Sequence, residues 1–195
     1  MSDAVVKAAQ AAVQAGTPDT AAFLALLRHY QSHPGEIKTA TVCGVLLTCL
    51  ADFTSSSFVA CLCLVPEKYM ERDEVKAVCA LDDKLRRGEF AEFWASLEAA
   101  TAAAKVAPGT NWAANVRKTV AAVVRDTFQS VDAKYVAAAC NIKDAAALKD
   151  LLPAAAFKVE GALVSFAKNE FNTPPEAPKP KEITSAHIAR LVKVA

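Results

Sequence analysis

The sequence predicts a mainly α-helical protein in which a HEAT-like helical repeat domain precedes a winged-helix domain with a small β-sheet. Three observations predict this fold class. Of the 195 residues 42 are alanine, the residue with the highest helix propensity. Apolar residues recur at helical spacing through roughly the first hundred residues, interrupted by short turn signals. Beyond Pro108-Gly109 the pattern changes to three helices, an alternating strand and a proline-rich loop.

These patterns divide the chain into three parts. We expect the helical repeat domain over residues 1–106, the winged-helix domain over residues 110–183 and a separate C-terminal helix over residues 184–195. Ala107-Pro108-Gly109 marks the first boundary because proline and glycine interrupt regular structure. A chain of this length buries roughly 70% of its unfolded surface, so it should fold without disulfides or a structural metal.

The first two helices of the repeat domain are separated by a glycine and a proline. The first is predicted from Asp3 to Ala15, and Gly16 is a favourable residue just after its end. Thr17 is placed to cap the second helix, with Pro18 at its first position. One apolar stripe follows the helical period along this second helix: Phe23, Leu24, Leu27 and Tyr30.

Four more helices complete the predicted repeat domain. The third covers about residues 36–51, and a serine run at 55–57 caps a fourth that Pro66 ends. A fifth finishes on basic residues before Gly88, as expected of a helix C-terminus. The sixth carries an apolar stripe at i, i+3, i+4 and i+7: Phe90, Phe93, Trp94 and Leu97. Six antiparallel helices with short turns are typical of stacked helical hairpins.

The second domain is predicted to contain three helices, a strand, a long loop and a returning strand, which is the order of a winged helix. The three helices are expected at about residues 112–128, 132–139 and 144–155. Residues 157–167 alternate loosely like a single strand, and the proline-rich residues 173–180 form a connector. Ile183 contributes to the returning strand, and Thr184 or Ser185 caps the C-terminal helix.

Charge and hydropathy exclude several classes of partner. With 22 basic and 21 acidic residues the net charge is +1, which does not suit a protein that coats nucleic acid or an anionic membrane. The most apolar segment, Val42–Val65, is split by Asp52 and three serines, and neither half reaches the roughly 18–20 residues that span a bilayer. No secretory signal is recognisable at the N-terminus. We therefore expect a cytoplasmic protein with free, mostly buried cysteines.

No residue pattern predicts a metal site. Cys61 and Cys63 are two residues apart, so they point in different directions on a helix, and no second pair lies at metal-site spacing. His29 and His33 have the spacing of two ligands on one helical face, but Pro34 pushes His33 out of helical geometry. We expect neither a metal nor a cofactor.

No pattern predicts catalysis either. The acidic groups are expected on solvated helix faces: Asp82-Asp83 and Glu71, Asp73 and Glu74. Nothing in the sequence supports a cysteine nucleophile paired with His187, and no glycine-rich loop is present to bind phosphates. We therefore expect a protein that is not an enzyme.

The predicted winged helix does not have the charge of a DNA reader. Its third helix offers Lys149 against Asp144 and Asp150, whereas a recognition helix carries several basic residues. The wing carries three lysines that could make weak contact with RNA phosphates: Lys168, Lys179 and Lys181. We expect no DNA binding and, at most, loose RNA contact within a larger assembly.

Apolar surface instead predicts protein partners. The strands of the wing offer an edge that can pair with a neighbouring sheet. The C-terminal helix has an apolar face and follows a proline-rich connector, which suits docking into a bundle of partner helices. Four residues are predicted to bind partners: Ile183, Ile188, Leu191 and Val192.

Four stretches of the chain resemble a known family, in the family's order and spacing, from about residue 23 to residue 140. They are Leu26–Pro34, Thr41–Val65, Leu81–Leu97 and Asn115–Asp132. The most specific element is Phe90-x-x-Phe93-Trp94 after a glycine. On these residues the chain resembles the subunit K family of eukaryotic translation initiation factor 3.

This resemblance implies a fold and a function. It implies a helical-repeat half, a winged-helix half and a non-catalytic scaffold role in assembly of the preinitiation complex on the small ribosomal subunit. It also implies the other subunits of the factor as partners, with subunit L as nearest neighbour. Small subunits of the proteasome lid and of the signalosome share this architecture, so a place in one of those assemblies remains an alternative, as does an RNA-binding adaptor.

Overall fold

The computed structural model describes residues 2–173, apart from the side chains of residues 2, 3, 145 and 146. Within this range the protein is mainly helical with one small antiparallel sheet, which confirms the predicted fold class. The helices that precede residue 107 are α1 (Ser2–Ala15), α2 (Thr20–Ser32), α3 (Thr39–Cys49), α4 (Ser57–Leu62), α5 (Glu67–Met70), α6 (Asp73–Arg87) and α7 (Phe90–Ala104).

Helix α3 forms the centre of the first half. Every residue from Val42 to Leu50 is buried, and the helix contacts α1, α2, α4 and α6. Helices α6 and α7 pack along each other as a helical hairpin, and Val75, Val78, Leu81 and Leu85 form the buried stripe of α6. This is the stacked arrangement that the apolar spacing predicts.

Several boundaries in the first half differ from the prediction. The cap of α2 is Asp19 rather than Thr17, and its carboxylate accepts a hydrogen bond from the Ala22 backbone N–H at 3.1 Å. The predicted third helix is shortened by 3₁₀-helices at Pro34–Glu36 and Leu50–Asp52. The fourth helix already ends at Leu62, and Pro66 instead directly precedes the additional turn α5, because proline is well tolerated at the beginning of a helix.

The second half contains α8 (Trp112–Thr127), β1 (Ser130–Asp132), α9 (Ala133–Cys140), β2 (Phe157–Glu160) and β3 (Leu163–Phe166). All strand pairs are antiparallel and β3 lies in the centre, in the order β1-β3-β2. Val131, Val159 and Val164 are in register across the three strands. Val164 and Phe166 are buried, so one face of the sheet packs onto the core with α9.

Two predicted elements of the second half are wrong in detail. The helix expected over 144–155 consists of 3₁₀-helices at Ala145–Asp150 and Ala154–Ala156, because Pro153 cannot continue a helix. The single strand expected over 157–167 is a hairpin with a two-residue turn. Gly161, with φ +63°, allows the tight turn between Glu160 and Leu163, which pair with each other.

Candidate interaction surfaces

Trp112 joins the two halves of the chain. Its side chain is fully buried, and its indole N–H donates a hydrogen bond of 2.6 Å to the carbonyl of Leu47 in α3. Its ring lies 6.2 Å from that of Phe93 in α7. A tryptophan at the start of α8 therefore packs inside the helical half, where its one polar atom has a partner.

The backbone around Gly109 is also fixed to the first half. The N–H groups of Thr110 and Asn111 donate to the carbonyls of Gln14 and Ala15 at the end of α1, at 3.0 and 3.2 Å. These bonds satisfy carbonyls that a helix C-terminus leaves without partners. The division at residues 106 and 110 stays a prediction, but the connection itself is packed against α1.

Trp94 makes a second link between the halves. Its indole N–H donates to the carbonyl of Ala139 in α9 at 2.9 Å, and the guanidinium of Arg117 in α8 lies 5.3 Å from the centre of its ring. Phe90 packs against Phe53, with ring centres 6.1 Å apart. The Phe-x-x-Phe-Trp element therefore connects α7 both to the rest of the first half and to α9 in the second half.

The hairpin of β2 and β3 presents apolar side chains and a strand edge. Val159 is 43% exposed and Leu163 is 52% exposed. Strand β2 pairs with β3 on one side, and no strand within residues 2–173 pairs with its other side. An edge of this kind can add a strand from another protein. The sequence predicted such an edge in the wing, but not that Gly161 and Ala162 form its tip.

Of the three lysines predicted to contact RNA, Lys168 lies within the described residues. Lys168 is exposed and borders a shallow hollow that also includes Arg125 and Phe171. Arg125 forms a two-point ion pair with Asp126 at 2.8 and 2.9 Å, so the charge around Lys168 is mixed rather than strongly basic. Lys179 and Lys181 lie outside the described residues, and their contacts stay predictions.

Phe171 is an exposed aromatic residue that sequence reasoning missed. It is 75% exposed although its backbone is held in a turn, because Asn169 accepts hydrogen bonds from the N–H groups of Phe171 and Asn172 at 2.9 and 2.8 Å. Asn172 is buried and donates to the carbonyls of Arg125 and Ala167. The Asn-x-x-Asn spacing is a turn signal that could have located this element.

The four residues predicted to bind partners, Ile183, Ile188, Leu191 and Val192, lie outside the described residues. His187 lies there as well. Their roles stay predictions based on the apolar pattern of the sequence.

The six cysteines are all free, as predicted. Cys61 is buried and Cys63 exposed, so they do point in different directions. The Cys49 thiol donates to the Cys61 sulfur at 3.8 Å. Burial raises the pKa of the Cys43 and Cys140 thiols to about 11, which disfavours the nucleophilic thiolate form.

His29 and His33 lie close together beside Glu36. Their rings stack with centres 4.3 Å apart, and His29 Nε2 lies 3.0 Å from a carboxylate oxygen of Glu36. This contact holds the pKa of Glu36 below its usual value. Among the described residues no group of three or more histidine, cysteine or acidic side chains is arranged to hold a metal ion.

Asp82 corrects the expectation that the acidic groups lie on solvated helix faces. Asp83 is exposed, but Asp82 is buried and pairs with Arg86, one turn later, at 2.6 Å. Burial raises the pKa of Asp82, and the pair with Arg86 opposes that rise. Of the other acidic group, Glu71 and Asp73 are exposed. The arginine at i+4 is what makes burial of one carboxylate tolerable.

No helix among residues 2–173 combines the length and the apolar composition needed to cross a membrane.

Comparison with known proteins places the chain in a family. Residues 36–177 match the sequence model of the CSN8/PSMD8/EIF3K family. A protein of Culex quinquefasciatus is 31% identical over 79% of this chain and 69% of its own length. A protein of Bombyx mori is 28% identical over 90% of this chain and 79% of its own length. One from Xenopus tropicalis is 29% identical over 58% of this chain and 51% of its own length. All three are named eukaryotic translation initiation factor 3 subunit K.

Proposed function

The chain belongs to the CSN8/PSMD8/EIF3K family, and we propose that it is a non-catalytic scaffold subunit, subunit K, of eukaryotic translation initiation factor 3. In this role it acts in the cytoplasm, in assembly of the preinitiation complex on the small ribosomal subunit. The observation that carries the proposal is the similarity to proteins named subunit K over 79% and 90% of the chain.

Two features of the structure support a scaffold. Trp112 and Trp94 each donate a hydrogen bond from one half of the chain to the other, so both halves present their surfaces in a fixed arrangement. The unpaired edge of strand β2, which carries Val159 and adjoins Leu163 of β3, suits side-by-side pairing with a partner's sheet. Preorganised surfaces of this kind reduce the entropy that assembly costs.

The partners that we propose are the other subunits of the factor. Subunit L is the proposed nearest neighbour, and contact with the small ribosomal subunit is made through the complex. Lys168, Lys179 and Lys181 would add weak RNA contact, consistent with the mixed charge around Lys168. A non-catalytic role is supported by the relatives, which are named as subunits of an initiation factor.

A subunit of the proteasome lid or of the signalosome is the alternative assignment. The family supports this alternative, because its name joins CSN8 and PSMD8 with EIF3K. The same fixed surfaces would serve in either assembly, so the identity of the bound subunits distinguishes the assignments.

The proposed C-terminal helix gives a direct test of the scaffold mechanism. Replacing Ile188, Leu191 and Val192 together with glutamate is expected to reduce incorporation of the chain into the factor by about tenfold or more, because three apolar anchors are lost. Incorporation is measured by immunoprecipitating another subunit of the factor and quantifying this chain by mass spectrometry, alongside a gradient profile of the small ribosomal subunit.

A matched control carries the same change in charge on the opposite side of the predicted helix. Ala186→Glu, Arg190→Gln and Lys193→Gln together should leave incorporation nearly unchanged. Equal incorporation of the test and control variants would show that this apolar face does not bind the complex. Circular dichroism of both purified variants checks that the rest of the fold is intact.

A further inference from the structure

A hollow at the junction of the two halves has a distinct chemistry. It lies where the turn between α6 and α7 faces α9, and its volume is about 210 Å³. Aromatic and small residues form most of its wall, and its lining includes Gly88, Glu89, Phe90, Glu92, Tyr135 and Ala138. The two carboxylates are its charged groups, and no lysine or arginine lines it.

The walls of this hollow are held in place. Trp94, two residues after Glu92, donates to Ala139 in α9 at 2.9 Å, so the two sides of the hollow are hydrogen-bonded to each other. Tyr135 packs edge-on against Phe128, with ring centres 5.9 Å apart, and is still 42% exposed. The hollow is therefore preorganised, with an accessible aromatic ring on one side.

Glu89 is half-buried and Glu92 is exposed, so both carboxylates of the hollow are accessible to a partner. Within the same sequence element Phe90 and Phe93 are buried and Trp94 is hydrogen-bonded to α9. Glu89 and Glu92, by contrast, have neither an ion-pair partner nor a side-chain hydrogen bond among the described residues. Glu89 immediately precedes α7 and Glu92 lies in its first turn, which suits the helix dipole, and the rings of Phe90 and Tyr135 line the same hollow.

We propose that this hollow receives an arginine or lysine side chain from a partner protein. The two carboxylates would pair with the cationic group, the ring of Tyr135 would add a cation–π contact, and the aliphatic stem would lie against Phe90 and Ala138. The acidic lining repels phosphates, so the occupant is a protein rather than RNA. The identity of the partner rests on the proposed function, because within the assembly the basic side chain belongs to another subunit.

The chemistry of the hollow can be tested first on the isolated full chain. In ¹H–¹⁵N NMR titrations, N-acetylarginine amide should shift the backbone signals of Glu92, Tyr135 and Ala138, whereas the neutral N-acetylcitrulline amide should not. The double variant Glu89→Gln/Glu92→Gln should bind the arginine probe about tenfold more weakly. Glu98→Gln, an exposed change on α7 outside the hollow, should bind it like the unmodified chain.

Equal shifts with both probes, or unchanged binding by the double variant, would overturn the proposal. The second experiment replaces Tyr135 with the photocrosslinking residue p-benzoylphenylalanine in cells. A crosslink to a peptide that carries arginine or lysine at the attachment point, lost with Glu89→Gln/Glu92→Gln, supports the proposal. A crosslink to RNA, or to a segment without a basic residue, contradicts it.

The two experiments separate this inference from the proposed function. If the chain co-purifies with initiation-factor subunits but the crosslink contradicts the hollow, the inference fails and the proposed function stands. If the chain does not co-purify with those subunits, the proposed function fails, and the titration of the isolated chain still decides whether the hollow binds a basic side chain.

Discussion

Replacing Trp112 with alanine is expected to lower the free energy of unfolding by about 4 kcal/mol, the typical cost of emptying a fully buried aromatic site. Its ring is inaccessible and packs beside Phe93, and its N–H bonds to the Leu47 carbonyl. A domain of ordinary stability has about 5–15 kcal/mol, so this change should remove much of it. Urea unfolding followed by circular dichroism gives the value.

A second variant separates packing from hydrogen bonding. Trp112→Phe keeps most of the ring but loses the N–H group, so the cost should fall to roughly 2 kcal/mol. A loss below about 1 kcal/mol for Trp112→Ala would mean that α8 does not depend on this contact with α3. The account of how the halves are joined would then be wrong.

Replacing Gly109 with alanine is expected to cost about 3 kcal/mol through overpacking. A Cβ atom there would overlap the carbonyl oxygen of Val13 and the backbone nitrogen of Gly16. Both are backbone atoms, which cannot move aside as the end of a flexible side chain can. The connection between the halves would have to separate from α1, and its hydrogen bonds to Gln14 and Ala15 would weaken.

Gly35 provides the matched control, because a Cβ atom added there would meet no atom within 4 Å. Gly35→Ala should be neutral or slightly stabilising, since it mainly restricts the unfolded chain. Thermal unfolding of the two variants in parallel makes the comparison. Similar melting temperatures for both would show that the close approach of Gly109 to α1 does not exist in solution.

The helices that could be predicted from the sequence are those with a clear apolar stripe. Helix α6 carries Val75, Val78 and Leu85 on one face and ends at Gly88, so both its face and its C-terminus follow from local rules. The segment 144–155 has only a weak pattern. Pro153 interrupts the segment, and its alanines, although they favour a helix, provide few apolar anchors, so 3₁₀ turns result.

Contacts between distant residues could not be predicted in the same way. The bond from Trp112 to Leu47 spans 65 positions, and nothing in either local pattern pairs the two residues. Strand β1 covers only three residues and exists because β3 lies beside it. The local sequence around Asp82 predicts an exposed carboxylate; its burial follows from the packing of α6 against other helices.

In the candidate surfaces, too, local features could be predicted from the sequence and contacts between distant residues could not. The edge in the wing follows from strand patterns that the sequence contains, although the position of its turn at Gly161 was missed. The hollow beside Tyr135 combines residues from α7 and α9, which only the tertiary structure brings together. Glu89 and Glu92 are distant from Tyr135 in the sequence, so a hollow that combines acidic and aromatic groups could not be predicted from it.

The most direct test of the central claim is to tag this chain in its native cell, capture it from lysate under mild conditions, and identify the co-purifying subunits by mass spectrometry. We expect stoichiometric subunits of eukaryotic translation initiation factor 3, with subunit L among the most abundant, and sedimentation of part of the chain with the small ribosomal subunit. Stoichiometric capture of proteasome-lid or signalosome subunits, without initiation-factor subunits, would contradict the central claim.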